Sequence, residues 1–144
     1  MVRLPGRLVA VASMVVMGTA ACGAGGPAGT SAGSCGGPGS PSGFMTAART
    51  VFVGVMLPGP TVGIGGRSVL ASPARMRVVR YLKGHGPAVV TVSTGVASAG
   101  GGGVASEDGI KPRAGERWRI YSASGHAPYQ TSICLGSARA GGAG

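Results

Sequence analysis

The chain has 144 residues, with 30 glycines, 10 prolines, one Trp, three Tyr and two Phe, and its 13 Lys and Arg against 3 Asp and Glu give a net charge of +10. That length allows one small domain, and three acids with two histidines leave little from which to build acid–base or metal chemistry. The few rings are scattered, whereas single-strand binders stack bases on clustered aromatics, so no nucleic-acid partner is expected.

Arg3 and Arg7 precede an apolar run from Leu8 to Met17, and the small residues Gly18-Thr19-Ala20-Ala21 end at Cys22. A basic start, a short apolar stretch and a small-residue cleavage site form the layout of an export signal. The apolar stretch 8–21 is shorter than the roughly 20 residues a spanning helix needs. Thr19-Ala20-Ala21-Cys22 resembles the lipobox of bacterial lipoproteins, in which the thiol receives a diacylglyceryl group and the bond before it is cut. The resemblance implies a signal peptide over 1–21, lipidation at Cys22, and a protein held by its lipid anchor on the extracytoplasmic face of the bacterial cell membrane. The alternative is an ordinary signal cut after Ala20 or Ala21 and a secreted protein.

Residues 22–43 are rich in Gly, Ser and Pro, without charge or apolar period, and read as a flexible tether. Residues 44–137 are left to form the core, and 138–144 read as a disordered tail. With one cysteine used by lipid, Cys35 and Cys134 remain as a disulfide pair in an oxidising compartment, against the alternatives of free thiols or pairing between molecules.

Within the core, a short helix is expected around Phe44 to Arg49. Arg49 to Leu57 is a β-branched run apolar on both faces, bounded by Pro58-Gly59-Pro60, and reads as a central strand. Val62 to Leu70, interrupted by Gly63, Gly65 and Gly66, reads as one irregular or bent strand. Arg75-Met-Arg-Val78 alternates, with Met76 and Val78 inward and the arginines outward. The alternation falters at Val79-Arg80-Tyr81-Leu82, where a bulge is expected. Lys83 to Pro87 is a turn and Ala88 to Thr94 a strand, followed by a four-glycine surface loop within Ala97 to Val104. Glu116 to Tyr121 restores a period of two, with Trp118 and Ile120 on one face and Arg117, Arg119 and Tyr121 on the other. Ser132 to Leu135 is a terminal segment carrying the second cysteine. The expected class is all-β, a small barrel with at most one or two short helices.

The order Cys35, Val51-Phe-Val-Gly-Val55, Val78-Val-Arg-Tyr-Leu-Lys-Gly84, Val89 to Thr94, Gly109 to Tyr121 and Thr131-Ser-Ile-Cys-Leu-Gly-Ser137 resembles the netrin-like domain. That domain is the five-stranded OB-fold type of barrel found in tissue inhibitors of metalloproteinases, and the resemblance also implies the Cys35 to Cys134 bridge. Those inhibitors chelate the target's zinc through an N-terminal cysteine amine. Here Cys35 follows Ser34 and the tether, so no inhibitory residue is carried over.

His85 and His126 sit in glycine-rich turns, Glu107-Asp108 reads as a turn, and Ser124-Gly-His126 is a loop tripeptide. No catalytic residue, metal site or cofactor is therefore expected. Without Arg3 and Arg7 the balance is 11 basic to 3 acidic residues. A basic domain beside a membrane is drawn to anionic headgroups and wall polymers, by about 1 kcal/mol per Lys or Arg. The arginine excess, with glycine and alanine, also looks like the bias of a GC-rich genome, so the arginines alone do not define a site. The reading is a non-catalytic lipoprotein whose barrel is a binding module at the cell envelope. Its candidate surface is Arg75, Arg77, Arg117 and Arg119, and its partner an anionic envelope component or exported protein. The rivals are a metalloprotease inhibitor acting through a different contact, a structural envelope protein, and a hydrolase with an unrecognised site.

Overall fold

The computed structural model describes residue 35 and residues 39–100 and 102–141. The expected export signal, Cys22 and most of the segment read as tether lie outside the described residues. The elements run α1 (Pro41–Ala47), β1 (Thr50–Met56), β2 (Thr61–Ile64), β3 (Arg67–Leu70), β4 (Ala74–Lys83), β5 (Val89–Ser93), β6 (Val96–Ala99), β7 (Gly102–Ala105), β8 (Arg117–Ser122), β9 (Tyr129–Gln130), a 3-10 turn (Ile133–Leu135) and β10 (Ala138–Arg139). The fold is mostly β, with one short helix and a curled half-barrel sheet.

That sheet has six strands in the order β10-β8-β1-β4-β5-β9, and β2-β3 and β6-β7 form two separate ribbons. β1 lies between β4 and β8, antiparallel to both, and β9 joins β5 in parallel. Because successive residues of a strand point to opposite faces, Phe52 and Met56 lie on the inner face of β1 and Val51, Val53 and Val55 on the outer. The inner residues join Met76, Val90, Val92, Trp118, Ile120 and Tyr129 in the main core. The outer face is divided. At one end α1 covers it, with Phe44, Met45 and Ala48 packed on Val51 and Tyr121. The Lys83 ammonium holds that helix down by donating to the carbonyls of Met45 and Thr46 at 2.9 and 3.1 Å. The other end carries the arginines.

Several expectations change. The helix begins at Pro41, capped by Ser40, whose hydroxyl accepts from Gly43 N. It therefore starts inside the segment read as tether. Val62 to Leu70 is a hairpin, turning at Gly65 and Gly66 with φ of 55° and 73°. The four-glycine surface loop is a second hairpin, β6-β7. Tyr121 shares the outer face with Arg119 as expected but lies buried under α1. Ala138 and Arg139, read as tail, pair with Arg119 and Trp118 of β8.

The segment joining β9 to β10 spans the gap between the two ends of the sheet. Tyr121 N donates to the Ser137 hydroxyl at 3.0 Å, and that hydroxyl donates to the Tyr121 carbonyl at 3.3 Å. With its proton so used, Ser137 accepts from the Thr131 hydroxyl. Cys134 lies in the same segment, joined to Cys35 by a disulfide with the Cα atoms 5.0 Å apart.

Candidate functional site

Cross-strand register organises the arginines into rungs. Arg77 of β4 pairs with Val55 of β1, which pairs with Arg117 of β8. Arg80 pairs with Val53, which pairs with Arg119, and Ala138 of β10 follows. Partners directly opposite share a face, so these four arginines project from one surface, joined by Arg75 two residues before Arg77. All five are exposed. Val53, at the centre of its rung, is only 3 % exposed. Its neighbours on that face are arginine stems, which cover apolar surface while their guanidinium groups stay in water. At a strand spacing of about 4.8 Å and a rise of about 3.3 Å per residue, the rungs are roughly 10 Å wide and 7 Å apart.

Beside α1 this surface dips into an open groove of about 830 Å³, walled by Pro41, Phe44, Arg80, Arg117, Arg119 and the chain at 138–141, with Val53 in its lining. The one ion pair among the described residues is Arg139 with Glu116, at 2.8 Å. The other oxygen of Glu116 accepts from Arg113 N at 3.0 Å and from the Trp118 indole N–H at 3.1 Å. Glu116 is thus occupied in placing Trp118 and the loop before β8. Arg75, Arg77, Arg80, Arg117 and Arg119 have no carboxylate within ion-pair distance among the described residues.

The four arginines expected outward are brought to one face, and the structure adds Arg80; Arg139, opposite Trp118, shares that residue's face and pairs with Glu116. In a regular strand Arg80 would face inward with Met76 and Val78. The register instead steps from Gly54 opposite Val78 to Val53 opposite Arg80, so Val79 is an extra residue and reverses the parity. The broken alternation at Val79 was the signal. Arg139 had none, since a two-residue strand has no period.

The other groups are occupied or dispersed. The Ser124 hydroxyl donates to the His126 carbonyl at 3.1 Å rather than to an imidazole nitrogen. His85 and His126 are exposed, and among the described residues no cluster of three or more His, Cys, Asp or Glu is placed to hold a metal. The Tyr81 hydroxyl, raised above its ordinary pKa first by burial and then by the neighbouring Tyr129, donates to the Pro87 carbonyl at 3.0 Å. That bond closes the turn between β4 and β5. The chain matches no family model, no curated protein and no solved structure.

Proposed function

We propose that the protein is a membrane-anchored, extracytoplasmic lipoprotein whose β domain is a binding module for an anionic envelope component or exported protein. The observation that carries this reading is the pair of in-register arginine rungs across β4, β1 and β8, with no carboxylate partner among the described residues. An array of uncompensated guanidinium groups suits carboxylate or phosphate, which it meets with paired N–H donors. The netrin-like reading is part of the proposal. Its support is the central β1 flanked by antiparallel β4 and β8, with β5 and β9 parallel, an arrangement compatible with an OB-type barrel carrying inserted hairpins. Fold alone does not specify the partner, so function is argued from the arginine face.

Two measurements test the reading. Labelled fatty acid enters the wild-type chain and not Cys22→Ala; a lipid-free wild type in the medium would remove the anchor. Residues 22–144 carrying Cys22→Ser, free of lipid and of the apolar run, are retained on isolated cell envelope at low salt and released as salt rises, because exposed charges are screened over about 8 Å at physiological ionic strength. Replacing Arg75, Arg77, Arg117 and Arg119 by serine abolishes that retention. Equal retention of both proteins would sink the charged-face reading.

A further inference from the structure

We infer that the arginine groove beside α1 docks on the phosphate headgroups of the bilayer to which the chain is tethered, so that the domain lies against the membrane rather than hanging free above it. The inference rests on the proposed anchor at Cys22 and on the arginine face as the contact surface.

The first argument is where the tether meets the domain. Pro41 and Phe44, in the first helical turns after the tether, form one wall of the groove, and Gly136 forms part of another. Gly136 lies two residues from Cys134, which holds Cys35. Both attachments of the tether therefore lie at or beside the groove.

Length is the second argument. Cys22 and Cys35 are 13 positions apart. No chain of that length reaches beyond about 45 Å. The bridge joins Cys35 to the domain, and within that reach the groove meets headgroups far more often than an untethered domain would.

Charge and shape supply the third. Arg80, Arg117 and Arg119 spread over a sheet surface instead of converging on one point, and they have no carboxylate partner among the described residues. A spread array of like charges complements a surface carrying many phosphates better than it does a single bound anion. A wall polymer would satisfy the same charges, but it does not require them to lie beside the tether.

The test uses residues 22–144 carrying Cys22→Ser, so that the groove acts without the acyl anchor or the apolar run 8–21, in sedimentation with vesicles of equal parts phosphatidylglycerol and phosphatidylcholine and with vesicles of phosphatidylcholine alone. Binding to the mixed vesicles and none to the neutral ones is expected, with release by salt. Each arginine at an anionic surface is worth about fivefold in affinity, so Arg80→Ser, Arg117→Ser and Arg119→Ser together weaken binding about a hundredfold. Arg67→Ser, Lys111→Ser and Arg113→Ser together remove the same charge from other exposed positions, and change binding by no more than a few-fold. Equal loss in both triple variants would overturn the groove as the docking site. Binding to lipid-free wall polymer but not to mixed vesicles would overturn membrane docking and leave the anionic-partner reading standing, while binding to neither would end both.

Discussion

Gly54 occupies a position in the centre of the sheet that no side chain could share. A Cβ there would stand 2.6 Å from the Arg77 carbonyl and 2.7 Å from Met76 Cγ and Sδ. The carbonyl belongs to the backbone of β4 and cannot swing aside, so the glycine lets β4 bend closely over β1. Gly54→Ala is expected to destabilise the domain by about 1–3 kcal/mol, the usual cost of overpacking, measured as a lower urea midpoint with unchanged slope. Arg80 shows how a single inserted residue redistributes chemistry. Val79 has no partner in the ladder, and it is this extra residue that places a fifth cation on the outer face.

The two ribbons are built on glycine, and for a physical reason. Gly103 in β7 lies flat against β2, where a Cβ would meet Val62 Cγ2 at 2.7 Å and Ile64 Cγ1 at 2.9 Å. Those contacts belong to the small cluster of Val62, Val69 and Val96 with Ile64, Ala71 and Ala105. Gly103→Val is expected to split the ribbons apart at a cost of about 1–3 kcal/mol. Amide exchange would then rise over residues 96–105 while β1, β4 and β8 stay protected, because the ribbons form their own ladders. Glycine also explains why the ribbons escape a pattern reading. Without side chains there is no alternation to detect, and Val62 to Leu70 looks like one damaged strand. A different signal was present in Gly65-Gly66, because two residues of positive φ make the tight turn that joins twisted strands. The strands with side chains were readable: β1, β4, β5 and β8 fall where β-branched residues or alternation put them, including the lapse at Val79.

The Cys35–Cys134 bridge encloses every strand but β10, with the two cysteines 99 positions apart. Closing a loop of that size restricts the unfolded chain, by about 4.7 kcal/mol on the entropic model, and losing a native bridge from a small exported domain costs about 2–5 kcal/mol. Cys134→Ala is therefore expected to lower the thermal midpoint by roughly 10–30 °C, followed by circular dichroism. How the sheet ends was not readable from sequence, because β9 and β10 contribute two residues each and depend on distant partners. Those short strands have a further consequence. A sheet edge with unpaired N–H and C=O groups is a template on which other chains aggregate, and very short edge strands are a common defence. Here both outer strands come from one stretch of chain, 129–139, with Cys134 between them. Reduction would loosen both guards together and expose β5 and β8 in the same event, so a chain that folds before it is oxidised passes through a state open to self-association at both ends of its sheet.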